Sequence, residues 1–412
     1  MIGSPGPWLL TNAVVLNPEL GEMVPDRRVL VIDGRIVEVG GNEVTYSGAH
    51  VIDLRGATLM PGLIDSHVHV TAASADLGAL PDMSPSYTAA HAARALRDML
   101  HRGFTTVRDC GGADFGLANA LEDGLIHGPR LRFAGKALSQ TGGHGDVRHR
   151  GRTHRDDHYC CPDFGRVCDG VDECRRAARD ELRKGADHLK IMLSGGVASP
   201  TDRIDSTQFS LDEITAIVEE ATAARRYVAG HAYLPDAINR GLRCGVRSIE
   251  HGNFLDDSSV KLFCEKDSFL VPTLVTYTAI AAEGRAEGMR AESHSKVFDV
   301  LEAGKRGLEL AHRGGVNVVF GTDLLGGMQR LQLTEFRLRA EVQPAVDIIR
   351  SATTTAAKLL GAEGSIGVVA PGSHADLLAV DGDPLADIGR LCEPERFHRL
   401  LMANGVVVKL PC

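Results

Sequence analysis

The 412-residue sequence has no excess of positive charge, no long apolar run and no internal repeat. Its net charge of −9 argues against a nucleic-acid-binding protein, because such proteins usually carry a basic face that attracts phosphate. The lack of any apolar run of about 18 residues or more argues against a membrane-spanning helix. The N-terminal stretch also has no basic residue before its short apolar segment, so the sequence predicts no signal peptide.

The number of cysteines and the overall composition exclude further classes of protein. Nine cysteines is an odd number in a long chain without an export signal, which predicts reduced thiols and a cytosolic protein. The 43% hydrophobic and 24% charged content argues against disorder, collagen and coiled coil. Because a bare α/β barrel needs about 250 residues, a smaller unit must accompany any barrel in this chain.

The pattern of apolar runs, turn residues and segments of helical length changes twice along the chain. Residues 1–60 and 361–412 contain short strands separated by turn residues, and they predict one small β-sandwich domain built from both ends of the chain. Residues 61–360 alternate short apolar runs with segments of helical length, which predicts parallel βα units closed into a (β/α)8 barrel. An open doubly wound sheet is the alternative. The strand candidates are Leu63–Val70, Thr105–Asp109, Leu131–Gly135, His188–Leu193, Tyr227–His231, Val246–His251, Phe269–Thr273 and Val316–Thr322.

Histidines stand at the same relative place in three of these strand candidates. His67 and His69 are two residues apart, so they point to the same face of a strand. His231 and His251 each end a strand, and Asp323 closes the last one. Alone, each could be a buried histidine with a local partner, and the aspartate could be a helix cap. Because the carboxyl ends of barrel strands converge, together they indicate a metal site.

Lys190 interrupts an otherwise apolar strand candidate, DHLKIML. Burying an ammonium group is unfavourable unless the group is paired or modified. Desolvation makes the amine nucleophilic, and a neutral lysine amine can take up carbon dioxide to become a carbamate, which is an anionic oxygen ligand. The alternative is a lysine at a strand edge that reaches water.

Several segments together resemble one known superfamily. PGLIDSHVHV, HLKIMLSGGVAS, AGHAY, SIEHGN and FGTD, in this order, resemble the metal-site segments of the amidohydrolase superfamily. ALSQTGGHGD, GVRSIEHGN, VPTLVTY and GTDLLG are similar to sequences of its Xaa-Pro dipeptidase, or prolidase-like, branch. The resemblance covers nearly the whole chain. It implies a distorted (β/α)8 barrel with a small β-sandwich, which agrees with the fold predicted from the pattern of strands and helices. It also implies a homo-oligomer.

The resemblance also implies a binuclear metal centre. It would hold two divalent ions, with Zn²⁺ favoured by the nitrogen and oxygen donors and manganese, iron or cobalt as alternatives. The ligands would be His67, His69 and Asp323 for the more buried ion, His231 and His251 for the second, and carboxylated Lys190 for both. A metal-bridging hydroxide would attack an amide carbonyl, while Asp323 takes its proton and delivers it to the leaving amine.

Two further residues are candidates for substrate contact. By resemblance, Tyr233 would hydrogen-bond the substrate carboxylate or the developing oxyanion, and His144, in GGHGD, would contact the scissile group. The alternatives are a rim aromatic residue and a flexible surface loop. The polar segment 140–169 is expected to be a long loop at the catalytic end of the barrel. One of its arginines could meet a substrate carboxylate; these are Arg148, Arg150, Arg152 and Arg155.

Four cysteines in and after this segment raise the question of a structural zinc site. They are Cys160, Cys161, Cys168 and Cys174, and they lack the C-x2–4-C pairs that such sites favour. Plain thiols or a local disulfide bond are therefore expected, and a role in stabilising the loop stays open.

The best single substrate prediction is an L-Xaa-L-Pro dipeptide or an N-acyl-L-proline. Hydrolysis of another N-acyl amino acid, a carbamate or a mycotoxin amide of the ochratoxin type would use the same site and stays open. Deaminases, lactamases and imidazolone hydrolases of the superfamily usually lack the lysine that stands at position 190 here. A catalytically silent scaffold would have lost ligands, whereas this chain keeps them all. No nucleic-acid or membrane partner is expected.

Overall fold

Parallel strands and helices alternate through the middle of the chain in the computed structural model, which describes residues 6–148, 151, 164–199 and 202–410. The described residues do not include Arg150, Arg152, Arg155, Cys160 and Cys161, and what the sequence indicates for these five stays a prediction. None of the helices in the described part of the chain combines the length and apolar character needed to cross a bilayer.

The strands, in chain order, are β1 (Trp8–Asn17), β2 (Glu22–Ile32), β3 (Arg35–Gly40), β4 (His50–Asp53), β5 (Thr58–Pro61), β6 (Leu63–Val68), β7 (Phe104–Asp109), β8 (Arg130–Phe133), β9 (Ala137–Ser139), β10 (Gly165–Val167), β11 (Leu189–Met192), β12 (Val228–Ala232), β13 (Ser248–His251), β14 (Phe269–Val271), β15 (Asn317–Val318), β16 (Leu377–Val380), β17 (His398–Ala403) and β18 (Val406–Lys409).

The helices are α1 (Pro85–His101), α2 (Phe115–Glu122), α3 (Val171–Arg183), α4 (Leu211–Ala223), α5 (Pro235–Cys244), α6 (Asp257–Glu265), α7 (Leu274–Glu283), α8 (Ala291–Arg313), α9 (Thr334–Arg339), α10 (Ala345–Ser351), α11 (Thr354–Leu359) and α12 (Pro394–Phe397). Three short 3-10 helices cover Leu77–Asp82, Gly326–Leu331 and Ile388–Cys392.

The barrel wall is formed by β6 to β9 and β11 to β15, whose described pairings are all parallel. The first and last strands meet, because the amide of Ser66 donates to the carbonyl oxygen of Phe320 at 2.8 Å and that of Asp323 donates to His67 at 2.8 Å. A ring closed in this way is a barrel, and the prediction of a (β/α)8 barrel is confirmed against the doubly wound alternative.

The third barrel strand differs from its predicted extent. The prediction was one strand over Leu131–Gly135, whereas β8 ends at Phe133 and β9 starts at Ala137. Gly135 has a φ of +73°, and a Cβ there would overlap the carboxylate of Glu181. The left-handed backbone and the close approach of Glu181 bend the chain, so pairing continues only after the bend.

Both ends of the chain contribute strands to one eight-stranded sheet. β5 pairs antiparallel with β16, which joins the N-terminal strands to the C-terminal ones. The Asn404–Gly405 pair makes the hairpin turn between β17 and β18, with φ of +49° and +77°. Leu378 of β16 and Leu401 of β17 belong to the same apolar cluster as Leu63 at the start of β6. The terminal sheet therefore packs against the starts of the barrel strands.

Candidate metal centre and active site

The carboxyl ends of the barrel strands surround one pocket. All six predicted metal ligands and both predicted substrate contacts line it, namely His67, His69, Lys190, His231, His251, Asp323, His144 and Tyr233. Its remaining walls are largely apolar and include Leu77, Phe164, Met192, Val197, Ile280 and Leu325. The structure thus brings together the side chains that the sequence placed at different strand ends.

His67, His69 and Asp323 form the tightest cluster of possible metal donors. Oδ1 of Asp323 lies 3.4 Å from Nε2 of His67 and 3.2 Å from Nε2 of His69. Nδ1 of His251 lies 4.0 Å from Oδ2 of the same aspartate. Within the described residues, a second group of possible donors combines His67 with Cys110 and Glu250. The first group opens into the pocket and has the nitrogen and oxygen donors that zinc accepts.

The ring nitrogen of His67 that points away from Asp323 is held by a buried ion pair. Nδ1 of His67 lies 2.7 Å from Oε2 of Glu250, and the Arg108 guanidinium lies 2.8 Å from Oε1 of the same carboxylate. Glu250 and Arg108 have no exposed surface. A carboxylate behind a metal-binding histidine fixes the ring orientation and raises the basicity of the other nitrogen. Glu250 therefore directs Nε2 of His67 into the pocket.

The other three histidines at the strand ends also have one nitrogen occupied by the protein. Nδ1 of His69 lies 2.9 Å from a backbone carbonyl, and Nδ1 of His251 lies 2.8 Å from the hydroxyl of Thr273. Nε2 of His231 lies 3.2 Å from the carbonyl oxygen of Gly195. His69 and His251 can therefore offer Nε2 to a metal, and His231 can offer Nδ1.

Three residues at the ends of barrel strands adopt the left-handed backbone conformation. The φ angles are +77° at His251, +47° at Thr273 and +53° at Asp323. A non-glycine residue in this region costs on the order of 1–3 kcal/mol and persists only where the surroundings enforce it. The concentration of such residues around one pocket is typical of a functional site.

Burial sets the charge state of the cluster. It is the largest cause that lowers the pKa of His67 to about 4, and it holds the pKa of His231 and His251 well below the usual range. Burial alone would raise the pKa of Asp323, but the surrounding histidines outweigh it and the pKa falls below its usual value. At His69 burial lowers the pKa, but the Asp323 carboxylate outweighs it and the pKa rises above its usual value. Neutral imidazoles at His67, His231 and His251 beside an ionised carboxylate are the forms that bind divalent metals.

Lys190 stands in β11 with 2% of its surface exposed. Its Nζ has no hydrogen-bond partner among the residues that the structure describes. An unpaired ammonium group at such a depth is costly, whereas a carbamate on the same nitrogen would supply oxygen donors to bound cations. The orphaned nitrogen therefore fits a site that holds metal ions on the neighbouring histidines.

His144 and Tyr233 both contact the ring of His231. The rings of His144 and His231 stack with centroids 4.2 Å apart, and the ring of Tyr233 meets that of His231 edge-on at 4.9 Å. Burial lowers the pKa of His144 to about 4. It also raises the pKa of the Tyr233 hydroxyl, which stays protonated. Tyr233 can therefore donate a hydrogen bond to a bound ligand.

The sequence interpretation missed five residues in and around this pocket. Tyr277 lines the pocket, and its ring centroid lies 6.2 Å from that of Tyr233. The available signal was its place in the segment VPTLVTY, to which no role was assigned. Glu250 and Arg108 hold His67 from behind, and the signal available was charge inside the apolar strands VRSIEH and FTTVRD. The pair Ser199–Asp202 contacts His144, with no local pattern to reveal it.

The described part of the long polar segment does not place a cation in the pocket. Arg148 pairs with Asp146, through Nη2 and Oδ2 at 2.6 Å. Cys168 and Cys174 are buried free thiols with their sulfur atoms 3.7 Å apart. They belong to neither group of possible metal donors found within the described residues.

A (β/α)8 barrel with histidine, lysine and aspartate side chains at its strand ends is typical of metal-dependent hydrolases. Within that class, a sequence profile of the Amidohydrolase family matches residues 58–408, and the chain belongs to this family.

Several named proteins are similar to this chain over most of its length. Ochratoxinase from Aspergillus niger is 31% identical over 395 residues, covering 89% of this chain and 80% of the relative. A prolidase complexed with N-methylphosphonate-L-proline is 48% identical with a TM-score of 0.95, covering 98% of this chain and 100% of the other. A Xaa-Pro dipeptidase with bound methionine is 27% identical with a TM-score of 0.88, covering 98% and 100%. The chain is a hydrolase that acts on C–N bonds.

Proposed function

We propose that the protein is a binuclear metal-dependent hydrolase that cleaves the amide bond of an L-Xaa-L-Pro dipeptide or an N-acyl-L-proline. The observation that carries the proposal is the convergence of six possible metal donors on one pocket with apolar walls. The 48%-identical prolidase, which binds a phosphonate derivative of proline, supports proline as the leaving group.

The metal ligands in this proposal are those expected from the sequence. His67, His69 and Asp323 would hold one divalent ion, and His231 and His251 the other. Lys190, once its Nζ has bonded to carbon dioxide and lost a proton, would contribute an oxygen to each. Zn²⁺ is the proposed metal because the donors are nitrogen and oxygen atoms. Two such ions would supply Lewis-acid activation of a water molecule and of the amide carbonyl.

Asp323 is the proposed general acid and base. Its carboxylate lies between the rings of His67 and His69 and is 20% exposed, so it can reach both the ligands and the pocket. It would accept the proton of the attacking water and deliver it to the leaving nitrogen. Proline leaves as a secondary amine, so protonation of that nitrogen is needed to break the bond.

Tyr233 and His144 are the proposed substrate contacts. The Tyr233 hydroxyl would donate to the substrate carboxylate or to the oxyanion that develops at the carbonyl. His144, whose ring stacks on that of His231, would contact the scissile group. The apolar walls near Met192 and Ile280 suit an uncharged substrate side chain.

The test is a hydrolysis screen of purified, metal-loaded protein against dipeptides and N-acyl amino acids that vary in the C-terminal residue. We expect the highest kcat/KM with C-terminal proline. The Asp323→Asn variant, purified in the same way, serves as the background control, and its turnover should fall by a factor of about 100 or more. Preference for an aromatic or a basic leaving residue would contradict the proline assignment, and absence of hydrolysis in every case would overturn the proposed activity.

An ochratoxin-type amide is the second candidate substrate, because ochratoxinase is 31% identical over 89% of this chain. The same screen should therefore include N-aroyl-phenylalanine. A cytosolic location and a homo-oligomer also stay predictions, to be tested by cell fractionation and by light scattering.

A further inference from the structure

The imidazole of His144 is held closely on several sides. One face stacks on His231, with an angle of 24° between the ring planes. A Cβ at Gly196 would overlap the imidazole, so the backbone of Gly196 lies directly against the ring. Nδ1 of His144 lies 2.8 Å from the hydroxyl oxygen of Ser199. These contacts fix the ring plane and direct Nδ1 toward Ser199.

The hydrogen bonds of Ser199 determine which nitrogen of His144 carries the proton. Besides His144, the Ser199 hydroxyl contacts Oδ1 of Asp202 and, at 3.2 Å, the carbonyl oxygen of Gly196. Both of these groups can only accept, and the hydroxyl has a single proton to donate. Nδ1 of His144 must therefore donate to Ser199, so a neutral ring carries its proton on Nδ1.

Besides Ser199, three neighbouring groups hold the side chain of Asp202 in place. Its Oδ2 accepts from the amide of Gly196 at 3.2 Å and from Nε2 of Gln208 at 3.1 Å. Nζ of Lys296, on α8, lies 3.5 Å from Oδ1. Lys296 also donates to the carbonyl oxygens of Gly196, Ser199 and Asp202 at 2.8–3.0 Å. The acceptor that fixes Ser199 is thus itself fixed.

We propose that Asp202, acting through Ser199, is a positioning residue that sets the Nδ1–H tautomer of His144 and leaves the Nε2 lone pair for the bound ligand. No hydrogen bond to Nε2 is present within the described residues. A lone pair in this position can accept a hydrogen bond or a proton from the ligand. The tautomer follows from the hydrogen bonds alone, whereas its effect on turnover rests on the proposed function.

The tautomer can be measured without any substrate. Long-range ¹H–¹⁵N spectra of metal-loaded protein labelled with ¹⁵N-histidine show which ring nitrogen is protonated, and the signals of His144 are identified by their loss in His144→Gln. We expect Nδ1–H in the wild type. In Asp202→Asn the new amide can donate to Ser199, whose proton then turns to His144, so we expect the proton to move to Nε2.

Two further variants complete this measurement. Ser199→Ala removes the acceptor for Nδ1 and should abolish the preference for one tautomer. Asp205→Asn is the matched control, because Asp205 lies in the same segment, is exposed and pairs with Arg203 at 2.7 Å. It should leave the spectrum of His144 unchanged. An Nε2–H signal in the wild type, or an unchanged pattern in both Asp202→Asn and Ser199→Ala, would overturn the proposal.

A double-mutant cycle tests the effect on turnover. With a substrate found in the screen, Asp202→Asn should lower kcat about tenfold or more while the metal content stays that of the wild type. In the His144→Ala background the same substitution should have no further effect, because Asp202 acts through His144. An equal loss in both backgrounds would show a general structural role instead. If no amide is hydrolysed, the proposed function fails, and the spectra still decide the positioning role.

Discussion

At the scale of single residues, the site depends on charged groups that are buried without reaching water. Lys190 and Glu250 illustrate two ways in which such a group is maintained. Lys190 has no partner among the described residues, and a carbamate on its Nζ would replace the ammonium group by an anion that bound cations can neutralise. Glu250 has Arg108 and His67 as partners and needs nothing further. Their replacement should therefore have different consequences.

Replacing Lys190 by alanine should abolish both metal occupancy and turnover. The substitution removes the nitrogen that would carry the bridging carboxylate, so the second of the two proposed ions would lose an anionic donor. Metal content by atomic emission and the rate of hydrolysis check the prediction. Lys136→Ala is the matched control, because its Nζ is also buried without a partner in the described residues but lies outside the pocket. Near-normal turnover of Lys190→Ala would contradict the bridging role.

Replacing Glu250 by glutamine should weaken metal binding by about 10–100-fold, as loss of a carboxylate behind a metal-binding histidine typically does. The amide keeps the shape of the side chain but removes the charge that orients His67 and balances Arg108. Competition with a chelator measures the affinity.

The matched control for that prediction is Glu335→Gln, because Glu335 is equally buried but contacts the backbone of α7 instead of a metal donor. Both variants should lose stability, and only Glu250→Gln should lose metal affinity. Equal metal affinities in the two variants would argue against the assigned role of Glu250.

At the scale of single elements, β17 begins with a histidine that is buried where the terminal sheet meets the barrel. Burial, followed by the charge of Lys409, lowers the pKa of His398 to about 4 from the usual 6.5. Between these two values the unfolded chain binds a proton that the folded chain does not. The contribution of His398 to stability is therefore complete above pH 6.5 and is lost as the pH falls toward 4.

Replacing His398 by leucine should accordingly reduce the pH dependence of stability. From pH 7 to pH 5 the wild type should lose about 2 kcal/mol through this residue, and the variant should not. Urea unfolding of both proteins at the two pH values measures the difference. Parallel losses in wild type and variant would show that His398 does not titrate as its burial implies.

At the scale of the whole molecule, the C-terminal strands complete a sheet that begins at the N-terminus. β16 covers the edge of β5, and Leu378 and Leu401 cover the start of β6. A chain that ends at Gly372 should expose this edge and this apolar surface, and should be insoluble when expressed. Removal of residues 411–412 alone is the control, because every described strand pairing remains. A soluble, monodisperse 1–372 fragment would contradict the prediction.

The sequence predicted the strands, the helices and the possible metal donors better than it predicted the contacts between residues on different elements. Strand and helix alternation is a local property, so the pattern within residues 61–360 predicted parallel βα units and favoured the barrel over an open doubly wound sheet. The interruption at Gly135 was missed because its cause, the carboxylate of Glu181, lies on another element.

The same distinction separates donors from their partners. His67 and His251 stand out because each occupies a strand end. Glu250 lies 183 residues from the histidine it holds, and Ser199 lies 55 residues from His144. No periodic or local pattern connects residues so far apart, and a fold is needed to bring them into contact. The assigned roles of the site residues stay predictions until the variants above are measured.

The location of the terminal sheet has a practical consequence for attaching the protein to a support. The sheet packs against the starts of the barrel strands, whereas the pocket opens at their ends. A tether near Lys409 in β18 would therefore hold the molecule by the side remote from the pocket. On a resin or a sensor chip, protein coupled there would present its pocket to the flowing solution, whereas random coupling through surface amines would block a share of the molecules.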